Sequence, residues 1–170
     1  MSTAAFRRLK ALVVEDNPHM RVLLRDLLLS LGIGQVLEAA DGRAAMEALK
    51  TGKIDFILTD LSMKPVDGIA FTKMVRRSKS SPNPFVPVIM ITGHTERARV
   101  EAARDAGVTE VLAKPVTAKD LLRRIAEIVE RPRTFVCSDG FTGPNRRRRK
   151  DPGHRAPLRR QEDLENLVIV

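Results

Sequence analysis

The strongest constraint on how this chain can fold is a strict alternation, up to about residue 130, of short apolar runs with amphipathic stretches. The apolar runs are ALVV (11–14), QVLEA (35–39), DFILT (55–59), VPVIMIT (86–92) and EVLA (110–113). After each run the apolar residues recur at helical spacing, as Leu24, Leu27 and Leu28 do after the first. Strand and helix pairs in this order predict a parallel sheet with helices on both faces. We therefore expect a doubly wound α/β fold with a five-stranded parallel sheet, in which the first four strands are buried on both faces.

The alternation stops after Arg131, so we predict one folded domain over residues 1–131 and a tail over residues 132–170. The tail is rich in Gly, Pro and Arg and shows no sustained period, which predicts mostly extended or disordered chain. It is also basic, because residues 131–170 contain 10 of the 30 Lys and Arg residues but only 5 of the 21 acidic residues. Part of the net charge of +9 is therefore a property of the tail.

The basic run Arg146–Lys150 has three interpretations. It could contact nucleic acid or an anionic membrane through counterion release. We rank this below a solvated or self-docking tail, because the sequence shows no aromatic residues interleaved with the run and no helix-turn-helix pattern. In the third interpretation, Phe135, Phe141 and the final LVIV pack back on the domain or on a second copy of the chain.

The composition excludes several classes of protein. A hydrophobic content of 43% with 30% charged residues is typical of a soluble globular protein. The longest apolar stretches are too short to span a membrane, and the first residues lack the apolar segment of a secretory signal. The single Cys137 can form no internal disulfide, and the three histidines are not spaced as zinc ligands. We expect a cytoplasmic protein.

Polar side chains follow four of the five predicted strands. Glu15 and Asp16 come after the first strand, Asp60 after the third, Thr92 after the fourth and Lys114 after the fifth. Because the carboxyl ends of parallel strands share one edge, where ligands bind in such sheets, we expect these residues to converge. Three converging carboxylates repel one another unless a cation is present, and an all-oxygen site suits Mg²⁺. With a lysine and a hydroxyl group nearby, one carboxylate could accept a phosphoryl group as an acyl phosphate.

Each of these residues also has a plain structural interpretation. Glu15 and Asp16 could cap the first helix, and Thr92 could cap a later one. Asp60 alone could be an ordinary loop acid, and Lys114 alone a solvated surface charge. The functional interpretation is stronger because the plain one requires all five residues to reach the same edge of the sheet by accident.

Four segments, VVEDNPHMR, the Asp60 strand with its continuation MKPVDG, IMITGH and LAKP, resemble the motifs of the bacterial response-regulator receiver domain. The resemblance covers about residues 8–130, and each motif stands at the end of the appropriate strand. It implies a flavodoxin-like sheet with strand order 2-1-3-4-5. The protein would then belong to a two-component phosphorelay.

The resemblance also assigns roles to the candidate residues. Asp60 would be the phosphoacceptor and a ligand of Mg²⁺. Asp16 would bind the metal directly, Glu15 would hold it through water, and the backbone carbonyl of Ser62 would complete the protein's share of the coordination shell. These residues make Mg²⁺ the expected cofactor.

Thr92 and Lys114 would contact the phosphoryl group, and the peptide bond between Lys114 and Pro115 would be cis. Receivers take the phosphoryl group from a phosphohistidine on a sensor histidine kinase or a histidine phosphotransfer protein. They catalyse only their own phosphorylation and slow dephosphorylation, the latter tuned by residues at the positions of Ser62 and His94.

Two positions depart from the family pattern. The family usually has proline four residues after the acceptor, whereas this chain has Lys64 there and Pro65 next. The family also commonly has Tyr or Phe three residues before the lysine that corresponds to Lys114, where this chain has Val111. The loop after Asp60 could therefore differ in shape or carry an extra cation near the site, and the output face could respond less or through the Thr92 loop alone.

We therefore expect a single-domain response regulator that signals through contacts with an output protein, with a homodimer left open. The face formed by the fourth and fifth strand and helix pairs is the expected contact surface. The alternative is a nucleic-acid-binding regulator that uses the arginine-rich tail as its effector. A phosphohydrolase of the haloacid dehalogenase type ranks last, because such enzymes have a second Asp where this chain has Ser62.

Overall fold

A computed structural model describes residues 6–93, 97–138 and 141–145, and the backbone alone of residues 167–168. The central sheet contains β1 (Lys10–Val14), β2 (Gln35–Ala39), β3 (Phe56–Asp60), β4 (Val88–Thr92) and β5 (Glu110–Ala113). Its strands are all parallel and follow the order β2-β1-β3-β4-β5. The predicted fold class and strand order are confirmed.

Five helices of the described chain connect or follow these strands. They are α1 (Pro18–Ser30), α2 (Gly42–Lys50), α3 (Gly68–Arg77), α4 (Arg97–Ala106) and α5 (Ala118–Glu130). Four of them begin at a side chain that accepts hydrogen bonds from the first turn: Asn17, Asp41, Asp67 and Thr117. The helix α1 is therefore capped by Asn17, and the capping role considered for Glu15 and Asp16 is wrong. None of the described helices has the length and apolar character needed to cross a bilayer.

The core consists of two apolar clusters, one on each face of the sheet. Alternate residues of a strand point to opposite faces, so Leu12 of β1 belongs to one cluster and Val13 to the other. The first cluster includes residues of α2, α3 and α4, such as Phe71, and the second includes residues of α1 and α5, such as Leu28 and Ile125. Both faces of the sheet are thus covered, as the alternation of elements predicted.

The strand β2 differs from the expectation that the first four strands are fully buried. Gln35 and Glu38 are exposed, Val36 and Leu37 are half-buried, and only Ala39 is buried. The reason is its position at the outer edge of the sheet, where it pairs with β1 alone. Glu38 uses this exposure to form ion pairs with Arg21 and Arg25 of α1, at 3.4 and 3.0 Å.

Residues 135–138 and 141–144 pair as the two strands of a β-hairpin, in a part of the chain expected to be mostly extended or disordered. The strands β6 (Phe135–Ser138) and β7 (Phe141–Pro144) pair antiparallel, and β8 (Leu167–Val168) pairs with the other side of β6. The sequence carried a signal for the hairpin, because Asp139 and Gly140 separate the strands and Asp-Gly is favoured in two-residue hairpin loops. The prediction of an extended or disordered segment rested instead on the surrounding Gly, Pro and Arg residues.

The hairpin packs against the domain through Phe135, whose side chain is 3% exposed. The Phe135 ring lies 5.0 Å from the Arg76 guanidinium carbon and meets the Phe85 ring edge-on at 5.6 Å. Gly143 of β7 lies against the backbone of Gly107, which has a φ of 98° that favours glycine. For Phe135, the structure therefore matches the interpretation that the segment packs back on the domain.

Arg76, near the end of α3, is buried beneath this hairpin with 3% of its surface exposed. Its Nε donates a hydrogen bond to the carbonyl oxygen of Gly107 at 3.0 Å. Its Nη1 donates to the carbonyl oxygens of Pro84 and Val86, both at 2.8 Å. Burial lowers the pKa of Arg76 to about 9. The amino ends of β4 and β5 are thus tied together by a cation bonded to carbonyl groups.

Some residues of the sequence analysis lie outside the described part of the chain. They are His94, the run Arg146–Lys150 and the last residues of the tail, apart from the backbone of β8. The interpretations of the basic run therefore stay predictions.

Candidate functional site

Two buried carboxylates and a lysine meet at the carboxyl edge of the sheet. Glu15 directly follows β1 and Asp60 ends β3, and these neighbouring strands pair with Val14 opposite Thr59. Glu15 is 2% exposed and Asp60 is 4% exposed. The Nζ atom of Lys114 lies 2.8 Å from Oδ1 of Asp60 and 3.9 Å from Oε2 of Glu15. The structure thus brings these three predicted residues together.

The loop between β3 and α3 folds back over Asp60. The amide of Ser62 donates a hydrogen bond to Oδ2 of Asp60 at 3.1 Å, and the amide of Gly68 donates to the carbonyl oxygen of Leu61 at 2.9 Å. A Cβ atom at Gly68 would lie 2.2 Å from the Asp60 carbonyl oxygen, so only glycine fits there. Asp67 accepts a hydrogen bond from the Ala70 amide and begins α3. The Asp-Gly pair of the motif is therefore needed to bring the loop close to Asp60.

Asp16 is held by the same loop. Its Oδ2 atom accepts a hydrogen bond of 3.0 Å from the backbone amide of Lys64. Both Lys64 and the Asp16 side chain lie at the surface. The peptide bond from Lys64 to Pro65 is cis, and the bond from Lys114 to Pro115 is cis as the resemblance implied. The departure from the family pattern at Lys64 thus occurs where the loop contacts the acidic pair after β1.

Thr92 ends β4 at the same edge and is 3% exposed. It lies one residue beyond Ile91, which pairs with Asp60 in the sheet. Its carbonyl oxygen accepts a hydrogen bond from the Lys114 amide at 2.8 Å, which joins the ends of β4 and β5. The capping role considered for Thr92 stays a prediction, because residues 94–96 lie outside the described chain. Val111, the other departure from the family pattern, is half-buried and packs against the core.

One of the two carboxylate oxygens of Glu15 lacks a hydrogen-bond donor among the described residues. Its Oε1 atom accepts a hydrogen bond from the Asn17 amide at 3.1 Å, whereas the buried Oε2 atom has no hydrogen-bond partner among the described residues. Burial raises the pKa of Glu15 above its usual value, and the neighbouring Asp60 charge acts in the same direction. The Asn17 hydrogen bond and the Lys114 charge oppose this change in pKa. A further cation would reduce the repulsion between the acids.

The donor atoms at this edge fit a hard divalent cation. Among the described residues, no three His, Cys, Asp or Glu side chains are grouped so that they could hold a metal ion by themselves. Mg²⁺ does not require such a group, because it usually takes one or two carboxylates and keeps several waters. Asp16, Asp60 and the Ser62 carbonyl offer only oxygen ligands, and the unpartnered Oε2 of Glu15 offers an acceptor for a metal-bound water.

Three contacts of this site were not found by sequence reasoning. The amides of Ser62 and Lys64 donate to Asp60 and Asp16, and Nη1 of Arg21 donates to the Glu15 carbonyl oxygen at 2.7 Å. Backbone donors have no side-chain signature that a sequence pattern could show. For Lys64 the sequence shows only that the residue is not proline, so it keeps a backbone N–H group that can donate a hydrogen bond.

Comparisons with known proteins agree with this geometry. Residues 11–126 match the response regulator receiver domain family. The chain is 36% identical over 125 residues to the chemotaxis protein CheY-3 of Vibrio cholerae, which covers 74% of this chain and 95% of that protein. It is also 36% identical over 123 residues to CheY of Pseudomonas aeruginosa, covering 72% of this chain and 98% of that protein.

Solved structures give the same result. The chain is similar to chemotaxis protein CheY4 of Vibrio cholerae, with a TM-score of 0.65, 29% identity, and coverage of 71% of this chain and 98% of that one. It is also similar to the receiver domain of the sensor histidine kinase PA1611 of Pseudomonas aeruginosa, with a TM-score of 0.61, 30% identity, and coverage of 70% and 95%. The family match runs from β1 into α5 and contains all the candidate residues at the carboxyl edge of the sheet. The chain therefore belongs to the response regulator receiver domains.

Proposed function

We propose that this protein is a single-domain response regulator that accepts a phosphoryl group on Asp60. The donor would be a phosphohistidine of a sensor histidine kinase or of a histidine phosphotransfer protein, in the cytoplasm. The observation that carries the proposal is the buried Asp60 carboxylate with Lys114 at 2.8 Å, at the carboxyl edge of a receiver sheet. Asp60 lies outside the apolar clusters, and burying a carboxylate costs free energy unless it is paired, as the partly exposed Lys114 pairs it here.

In the proposed reaction, a carboxylate oxygen of Asp60 forms a bond to phosphorus while the bond from phosphorus to the histidine nitrogen breaks. The freed imidazole nitrogen keeps the electron pair of the broken bond and takes a proton from water, which releases hydroxide to the solvent, so atoms and charge balance. Lys114 neutralises Asp60 before the transfer, and its flexible ammonium group can follow the new negative charge onto the phosphoryl oxygens. The Thr92 hydroxyl would donate a hydrogen bond to the same oxygens. Ser62 holds the acceptor carboxylate in place through its amide.

Magnesium is part of the proposal. The related PA1611 receiver domain has been described with a magnesium ion coordinated in its active site cleft. In this chain Asp16, Asp60 and the Ser62 carbonyl would hold the ion directly, and Glu15 would hold it through water. Bound Mg²⁺ supplies the positive charge that lets an anionic phosphoryl group approach the acidic residues.

The proposed output is a contact with another protein. What supports this is the position of residues 132–138 and 141–145, which follow α5 and pack on the receiver through Phe135 and Gly143 instead of standing apart from it. The face formed by β4, α4, β5 and α5 is the proposed contact surface. Because Val111 stands where the family commonly has an aromatic residue, the conformational change on phosphorylation would reach that face through the Thr92 end of β4.

The proposal is tested by intact mass spectrometry after incubation of the full chain with acetyl phosphate and Mg²⁺. The wild type should gain one phosphoryl group that hydroxylamine removes, as expected for an acyl phosphate. Asp60→Asn should gain none. Asp26→Asn, which changes an exposed carboxylate of α1, should behave as the wild type. Folded wild-type protein that gains no adduct, or an adduct that persists in Asp60→Asn, would contradict the proposal.

A further inference from the structure

The three acidic side chains of the site are held by different kinds of contact. Asp60 is held by the Lys114 ammonium group and by the Ser62 amide, and Glu15 is held by the Asn17 amide. The Asp16 carboxylate is exposed, and within the described chain the Lys64 amide is the one hydrogen-bond donor that it meets, at 3.0 Å. The orientation of Asp16 therefore depends on a single backbone group from a loop 48 residues away in sequence.

The Lys64 amide is itself well placed to fix a carboxylate. Met63, directly before it, is 4% exposed and belongs to the core cluster below the sheet edge. The loop is held at both ends, by the bond from the Ser62 amide to Asp60 and by the bond from the Gly68 amide to Leu61. The Lys64 side chain, in contrast, is exposed. The position of the amide thus depends on its buried neighbour and on the loop, and the Lys64 side chain plays no part in it.

We propose that the backbone N–H of Lys64 is the group that positions Asp16 for Mg²⁺. It holds Oδ2 and leaves Oδ1 to bind the metal. Mg²⁺ demands near-ideal ligand geometry and usually takes one oxygen from each carboxylate, so an otherwise free exposed side chain gains affinity when its orientation is fixed. Hydrogen bonds to ligating carboxylates commonly contribute about 10- to 100-fold to metal affinity. This inference rests on the proposed function.

The residue type at position 64 then matters for its backbone and not for its charge. A proline there has no N–H group and could not hold Asp16. The sequence that follows, with proline displaced by one position to Pro65, keeps a proline in the loop and still leaves a donor at position 64. The departure from the usual family pattern is thus a substitution that adds a hydrogen bond to the proposed metal site.

The test is isothermal titration calorimetry of the full chain with Mg²⁺ in the absence of any phosphodonor. Lys64→Ala keeps the N–H and should bind Mg²⁺ as the wild type does. Lys64→Pro removes the N–H and should raise the Kd by about tenfold. Since proline also restricts the loop backbone, a second variant replaces the Lys64 amide by an ester, which removes the donor without the ring of proline, and it should show a similar loss.

Four other outcomes would overturn the inference. Equal affinity in all variants means that the N–H does not position Asp16, and an equal loss in Lys64→Ala means that the side chain acts instead. A loss in Lys64→Pro without a loss in the ester variant means that loop shape is responsible. If the wild type binds no Mg²⁺ at all, the magnesium part of the proposed function fails together with this inference. Phosphorylation of Asp60 by acetyl phosphate distinguishes these cases, since it persists when only the role of Lys64 is wrong.

Discussion

The two edges of the central sheet both bury charge, but they surround it differently. At the carboxyl edge, Glu15 and Asp60 face each other and a lysine whose side chain is 32% exposed. At the amino edge, Arg76 faces three carbonyl groups and the ring of Phe135. Carbonyl groups and a packed ring neither titrate nor move, whereas carboxylates and a lysine do both. Burial of charge is structural at the amino edge and, in our proposal, functional at the carboxyl edge.

Each edge also contains a buried charged side chain with a polar atom that has no hydrogen-bond partner among the described residues. Examples are Oε2 of Glu15 at the carboxyl edge and Nη2 of Arg76 at the amino edge. The unpartnered atom of Arg76 is buried and the guanidinium group lies against Phe135 of the hairpin, so this atom is closed off from solvent. Glu15 has Lys114 and an exposed loop within reach, so its unpartnered atom can be satisfied by something that comes and goes. The comparison predicts that changes at the amino edge affect stability and that changes at the carboxyl edge affect chemistry.

The largest effect should come from Arg76→Ala. The change removes three hydrogen bonds from a charged donor and leaves the carbonyl groups of Gly107, Pro84 and Val86 without it, so we expect a loss of about 3 kcal/mol in the free energy of unfolding. Urea unfolding measures the loss. Lys73→Ala, at an exposed position of the same helix, should change stability by no more than about 0.5 kcal/mol.

Where Arg76→Ala remains folded, it should still gain a phosphoryl group, because the site lies at the other edge of the sheet. A variant that unfolds as the wild type does would show that the buried arginine contributes little. A folded variant that cannot be phosphorylated would show that the two edges are coupled more closely than their contacts suggest.

A smaller effect is expected from Gly143→Ala. A Cβ atom there would lie 2.9 Å from Cα of Gly107 and 2.7 Å from the Phe141 ring, so the hairpin would have to move away from the domain. Overpacking of this kind usually costs about 1–3 kcal/mol. The matched control is Gly93→Ala at the carboxyl edge, where an added Cβ meets no atom of the described residues within 4 Å. Equal stability losses in the two variants would mean that the hairpin is not closely docked.

The smallest effect concerns the pH dependence of stability and uses Glu15→Gln in buffer with a metal chelator. The pKa of Glu15 is raised in the folded protein from 4.5, so its contribution to stability is present below pH 4.5 and is lost as the pH rises through the folded pKa. The stability of Glu15→Gln relative to the wild type should therefore be greatest near pH 7 and should shrink toward pH 4.5. Urea unfolding at both pH values measures this difference, and a difference that grows as the pH falls would show that the assigned direction is wrong.

Most residues of the carboxyl edge could be predicted, because the carboxyl ends of all strands in a parallel sheet lie at the same edge. Glu15, Asp60, Thr92 and Lys114 each follow an apolar run, and no further information was needed to expect them together. The amino edge could not be predicted in the same way. Arg76 directly follows Val75 in the buried stripe of α3, and a helical pattern gives no reason for an arginine there. Its partners are carbonyl groups, which every residue possesses.

The hairpin and the Lys64 contact were missed for related physical reasons. The hairpin is short, and its Asp-Gly signal stands among residues that usually indicate irregular chain. The Lys64 amide donates to an acid 48 residues earlier, and such a contact depends on how the loop folds over Asp60. Side-chain chemistry is visible in a sequence, whereas the choice of backbone donors appears only once the chain is folded.

The docked hairpin also gives the protein a convenient place for a spectroscopic probe. Cys137 on β6 is the only thiol in the chain, it is partly exposed, and the sequence contains neither Trp nor Tyr to compete with a fluorescent label. Strands of five residues separate the two edges of the sheet by roughly 15 Å. A fluorophore attached to Cys137 would report on the amino edge without contacting the carboxyl edge. Its response to Mg²⁺ and to a phosphodonor would measure how far a local event at Asp60 is felt across the domain.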